Sequence, residues 1–146
     1  METTSTITID RPIDDVFSYV SDVSRMPAWM TGVTAAKMVT DAKEKGAKFV
    51  ATYLVARRPV DLEFKITKWE ARKVFGFASS KGPMSFKGRL EFSGNNGSTE
   101  VTSVIESGPD SLASRLLFFI GGPLLKRSMR RRLDRELEAL KAAVDA

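Results

Sequence analysis

The sequence predicts an α+β protein in which an antiparallel sheet precedes one long helix. Three observations carry this. Between Thr3 and Ser107, apolar and polar residues alternate in repeated short runs, the period of a half-buried strand. Clusters of turn-forming residues separate those runs. After Asp110 the period changes. Leu125, Met129, Leu133, Leu137, Leu140 and Val144 recur at spacings of three and four, a single apolar stripe on a helix. Strands and helices are segregated along the chain, which defines the class.

Each element has a local reason. Thr3 to Ile9 alternates and is rich in β-branched side chains, so it reads as a strand. Asp10 is expected to cap the helix that follows, with Pro12 near its first turn. Val16, Phe17, Val20 and Val23 give that helix an apolar side. The adjacent Asp14 and Asp15 suit the helix dipole better than a catalytic pair. A second short helix is expected around Arg25 to Met30, ended by Gly32. Strands are then expected at Val33 to Val39, Ala47 to Ala56, Val60 to Thr67, Val74 to Ser79, Met84 to Ser93 and Thr99 to Ser107. The turns between them fall at Lys43 to Gly46, at Arg57-Arg58-Pro59, at Gly82-Pro83 and at Asn95-Asn96-Gly97, with Gly108-Pro109 closing the sheet. Gly121-Gly122-Pro123 should loosen or kink the final helix.

Composition bounds the chemistry. The chain has 146 residues, 42% hydrophobic and 28% charged, which suits one domain over 1–146. It has no cysteine and no histidine. That excludes disulfides, Cys/His metal sites, cysteine nucleophiles and Ser-His-Asp triads. No Gly-rich phosphate loop or metal-ligand cluster is present, so no cofactor and no metal is expected. The first residues lack the basic and apolar regions of a signal peptide. The longest apolar candidate, Leu116 to Leu125, is too short to span a bilayer. Zero cysteine leans the same way, and a cytoplasmic location is expected. Net charge is +5, and five basic residues with no acid lie between Lys126 and Arg132. The remainder of the chain is therefore close to neutral.

The opening ITIDRPIDDVFSYVSDVSRMPAWMTGV resembles the START-like superfamily, also called the Bet v 1-like or SRPBCC group. The positions that carry the likeness are Pro12, Asp15, Val16-Phe17, Asp22 and Pro27-Ala28-Trp29. NNGSTEVTSVIES is similar to that group's Gly-x-Thr-x-Val-Thr strand through Gly97, Thr99, Val101 and Thr102. The ending LLKRSMRRRLDRELEALKAAV is similar to its C-terminal helix, and the likeness favours the polyketide cyclase/dehydrase and lipid-transport-like branch. The resemblance implies a helix-grip fold: a curved antiparallel sheet of about seven strands around the long helix. It also implies a cavity between sheet and helix, closed at one end by the two short helices.

On that fold the inward-facing candidates are Tyr53, Leu62, Phe64, Phe75, Phe77, Met84, Phe86 and Leu90, joined by Phe119, Leu125 and Met129 from the helix. Such a lining suits an apolar or aromatic ligand, or a lipid, of a few hundred cubic ångströms. The plainer alternative is that these residues are core. Trp29 is expected to be a structural anchor whose indole N–H needs a partner if buried. Phe118, Phe119 and Ile120, before the glycine pair, could gate the cavity, contact a membrane surface or begin a buried helix.

Lys126 and Glu136 fall within the apolar arc of the final helix. With Ser103 they are the candidate polar groups of the cavity, and a buried charge could orient a ligand or act as acid or base. The simpler expectation is that both snorkel to solvent. An enzyme of the cyclase or dehydratase type would draw on Tyr53, Glu136 and Ser103, although no catalytic constellation is visible. Arg127, Arg131 and Arg135 share the opposite face with Asp134 and Glu138 and are expected to be solvated and partly paired. The basic cluster could meet anionic lipid or an acidic partner, and nucleic acid is disfavoured because no aromatic residues interleave with it.

Overall fold

The computed structural model describes residues 2–40, 44–55, 57–79, 84–109 and 112–145, with side chains described at all of these except 55, 84–86, 107–109, 112–126 and 129. Strand β1 (Glu2–Ile9) leads into α1 (Ile13–Ser21) and a 3-10 helix (Val23–Ala28). Six strands follow: β2 (Val33–Met38), β3 (Lys48–Val55), β4 (Arg58–Glu70), β5 (Val74–Ser79), β6 (Met84–Asn95) and β7 (Ser98–Pro109). Helix α2 (Leu112–Asp145) closes the described chain. The sheet has the order β1-β7-β6-β5-β4-β3-β2, and every neighbouring pair is antiparallel. This is the α+β helix-grip arrangement that the sequence predicts.

Most joints follow from local chemistry. Asn96 and Gly97 take φ values of 50° and 85°, so both central residues of the β6–β7 hairpin are left-handed. That is the two-residue turn whose twist matches the flanking strands. It fixes the register in which Leu90 faces Ser103 and Phe92 faces Val101.

Several joints differ from expectation. Asp10 does not cap α1. The chain turns at Arg11, whose N–H bonds to the Ile9 carbonyl at 2.8 Å, and Pro12 then precedes the helix with φ −58°. The cap appears one element later, where the Asp22 carboxylate accepts from the Ser24 N–H at 3.1 Å. The second helix is accordingly a 3-10 turn that starts at Val23. Among the described residues of the β3–β4 tip, Arg57 is left-handed, at φ 67°. Arg58 and Pro59 already belong to β4, with Pro59 opposite Leu54. A proline near the start of a strand removes a donor where few ladder bonds are lost. Gly108 and Pro109 also continue their strand, opposite Ser85 and Met84. Finally, α2 remains helical through Gly121-Gly122-Pro123. The proline removes a single N–H donor, and the turns on either side keep the helix going.

The core lies between the concave face of the sheet and the helices. Leu133, Leu137 and Leu140 are buried from α2, and Val144 packs against the core. Leu137 and Leu140 join Ile9, Phe75, Leu90 and Val101 from the sheet, and Val16, Phe17 and Val20 from α1, in one core cluster.

Candidate functional site

The interior divides into an aromatic wall and a polar end. Antiparallel pairing places Phe49 opposite Phe64 and Ile66 opposite Phe77. Phe49 and Phe64 stack at 5.2 Å, and Phe77 meets Phe64 edge-on at 5.8 Å. Tyr53 extends the stack at 6.3 Å from Phe64. Phe64, Phe77 and Leu90 are buried, while Tyr53 and Leu62 are half-buried. Of the remaining expected lining residues, the side chains of Met84, Phe86, Phe119, Leu125, Lys126 and Met129 lie outside the described residues, as do those of Phe118 and Ile120.

The polar end is built by α2 and the loop after the 3-10 helix. Glu136 does not snorkel. It is 6% exposed, because Leu133, Leu137 and Leu140 hold its face of α2 against the sheet. One turn earlier, Arg132 donates from Nε to the Glu136 carboxylate at 2.9 Å. Its Nη2 donates to the Thr31 carbonyl at 3.2 Å. Arg132 therefore ties α2 to the loop and compensates the buried acid. Gly32 allows that loop its sharp turn, with φ 82°.

Burial drives the titration of this cluster. Desolvation raises the Glu136 carboxyl above its ordinary value, against the opposing pull of Arg132 and of hydrogen bonds from Thr31. Desolvation likewise pushes the Tyr53 hydroxyl up to about 12, with Arg132 lowering it and Glu136 raising it further. Tyr53 and Glu136 are thus close enough to feel each other. Ser103 is also buried, at 5% exposure, and lines the same recess as Glu136.

That recess is bounded by Trp29 and Met30 from the loop, by Phe77, Leu90, Ser103 and Ile105 from the sheet, and by Arg132, Leu133 and Glu136 from α2. The described side chains close it to about 10 Å³, room for roughly one water. A larger groove of about 510 Å³ lies on the opposite, convex face, among Lys68, Lys73, Arg89 and Glu91. It is open to solvent, and Arg89 there pairs with Glu91 at 3.3 Å. The smaller recess carries more chemistry because its carboxylate is buried.

Of the three polar groups the sequence offered for an enzyme, Ser103 and Glu136 line the same recess, and Tyr53 is not among its lining residues. The sequence reading missed Arg132 and Thr31, and it treated Trp29 as an anchor alone. The spacing of four between Arg132 and Glu136 was a readable signal. Nothing in the sequence marked Thr31. On the outer face of α2, Arg127, Arg130, Arg131, Asp134, Arg135 and Glu138 are exposed. Among the described residues no ion pair joins Arg131 or Arg135 to Asp134 or Glu138; Asp134 instead accepts from the Ser5 hydroxyl. Among those residues also, no helix is long and apolar enough to cross a membrane, and no cluster of acids could hold a metal.

A curved antiparallel sheet gripping a long helix, with a polar recess between them, defines the START-like class. The family model described as polyketide cyclase / dehydrase and lipid transport matches residues 1–145. The chain belongs to that family. Among curated proteins, none matches its sequence significantly. Among solved structures it is similar to a START superfamily protein from Mycobacterium smegmatis, with TM-score 0.80 at 13% identity, covering 99% of this chain and 97% of that one. It is also similar to the Zhui aromatase/cyclase from Streptomyces sp. R1128, with TM-score 0.78 at 12% identity, covering 99% and 93%. A protein from Thermus thermophilus aligns with TM-score 0.78 at 15% identity, covering 99% and 97%. At these identities the likeness concerns the fold.

Proposed function

We propose that the chain binds a small apolar or aromatic ligand between the sheet and α2, and that its mechanism is sequestration. The observation that carries this is the buried Glu136 carboxylate, paired with the half-buried Arg132 at the end of an aromatic wall. A buried carboxylate contributes little to stability compared with apolar packing, even with a partner, so its presence inside the fold supports a role toward a ligand. Phe49, Phe64, Phe77 and Tyr53 supply apolar contact, and the polar end fixes orientation. The ligand body lies along that wall. The family includes lipid-transport proteins in its description, and the Zhui relative is an aromatase/cyclase. Both fit an apolar or aromatic ligand. A cytoplasmic location and a peripheral membrane contact at the start of α2 belong to the same reading.

Native mass spectrometry of the purified protein, with organic extraction of any adduct, tests the proposal. A stoichiometric apolar adduct is expected, and Phe64→Trp should abolish it by filling the wall. A clean apo mass across a panel of lipids and aromatic polyketides would overturn it. That result would shift the reading to a docking module that uses the exposed arginines of α2.

One observation favours a second reading, catalysis of the cyclase or dehydratase type. Glu136 has a raised carboxyl pKa beside Tyr53 and Ser103, which suits proton transfer to a carbonyl substrate. Turnover of an aromatic polyketone should then vanish in Tyr53→Phe or Glu136→Gln while binding survives.

A further inference from the structure

The geometry points to Trp29 as a ligand contact, whose indole Nε1–H donates to a neutral acceptor oxygen, a ketone or phenol, carried by the ligand's polar end. This rests on the cavity reading above and names the ligand's functional group. Trp29 is 4% exposed, yet its Nε1–H has no hydrogen-bond partner among the described residues. It is the one buried side-chain donor or acceptor in that position there. Leaving such a donor unmet costs about 1–3 kcal/mol. The same ring lines the recess that holds Ser103, Arg132 and Glu136.

The charge of the acceptor follows from the recess itself. Arg132 is already engaged by Glu136 at 2.9 Å and by the Thr31 carbonyl at 3.2 Å. Among the described residues no uncompensated cation faces the recess. A carboxylate or phosphate would have to share with Glu136 the guanidinium of Arg132, the one cation among the described residues lining the recess, whereas a neutral oxygen needs no such sharing. The uncharged indole N–H matches it.

The test compares 2-acetylnaphthalene with 2-isopropylnaphthalene, which have similar shapes but differ in the acceptor oxygen. In a ¹H–¹⁵N spectrum of the wild-type protein, the Trp29 indole signal is identified with the Trp69→Phe variant. It should move downfield with the ketone and not with the hydrocarbon. Trp29→Phe should weaken ketone binding by about tenfold, the loss of one neutral hydrogen bond, and leave the hydrocarbon unchanged. Naphthalene-2-carboxylate should bind more weakly than the ketone. Equal indole shifts with both neutral probes would overturn the inference alone and assign the N–H to a bound water. Failure of every probe to bind would overturn the cavity reading and this inference with it. If Trp29→Phe does not fold, the wild-type spectra still decide.

Discussion

The two ends of the concave face solve the interior differently. Near α1, Phe17 meets Trp69 at 5.6 Å and Phe92 at 5.3 Å, both edge to face, and Trp69 meets Phe75 at 5.6 Å. Those rings interlock with no charge among them. At the other end, Phe49, Phe64, Phe77 and Tyr53 form a comparable wall, but it stops at Arg132, Glu136 and an indole N–H with no partner among the described residues. The first end maximises dispersion contact and apolar burial. The second keeps desolvated polar groups where packing alone would favour apolar ones. One sheet thus carries an apolar, interlocked half and a half that gives up apolar packing for polar groups, the half proposed to meet the ligand.

Substitutions should separate the halves. Phe17→Ala has the largest expected effect: a loss of about 3–5 kcal/mol through cavity formation, read as a lower urea midpoint. The folded fraction should still take up an apolar ligand. If uptake disappears in the folded fraction, the two ends are not independent.

Gly88→Ala should come next. An added Cβ would sit 3.0 Å from both Phe77 and Ile105, two side chains that line the recess. Overpacking of this kind costs about 1–3 kcal/mol. Ligand affinity, measured by titration, should fall as well, because Phe77 or Ile105 must shift and both line the recess. An unchanged affinity would place the ligand elsewhere.

The polar half should also show itself in pH dependence. Burial raises the Glu136 carboxyl in the folded chain, so the folded state holds this proton longer than the unfolded one. Stability should therefore be greatest, as far as this group is concerned, below the unfolded carboxylate value, and should fall as pH rises through the folded one. Tyr53 should repeat the pattern between 10.0 and about 12. Urea melts across the first window should slope downward in the wild type and flatten in Glu136→Gln. A slope that survives the substitution would assign it to another group.

The smallest effect is expected on the outer face of α2. Reversing charge at the exposed Arg127 and Arg131 should change stability by no more than about 0.5 kcal/mol in the same melts. It should leave ligand uptake intact. A loss of uptake would mean that the basic face helps load the cavity.

The sequence by itself determined the order of elements and which face of each is apolar. Alternation in β4 and β6 and the three-and-four spacing of Leu133, Leu137 and Leu140 encode burial locally, and Asn96-Gly97 encodes its own turn. These are near-neighbour effects, readable wherever the period is clear. Boundaries were less legible at Asp10 and at Arg58-Pro59, because caps and strand starts depend on what the next element pairs with. Tertiary structure alone decided the polar end. Glu136 could snorkel or be buried on any helical wheel; packing of its neighbours against the sheet removed its route to water. Arg132 became its partner because the loop at Thr31 anchors the other side of the guanidinium. Trp29 was visible as an anchor, but whether its N–H finds a partner depends on every surface that closes around it, and among the described residues it finds none. Burial and hydrogen-bond satisfaction are properties of the assembled chain, and they are what turn a sequence position into a site.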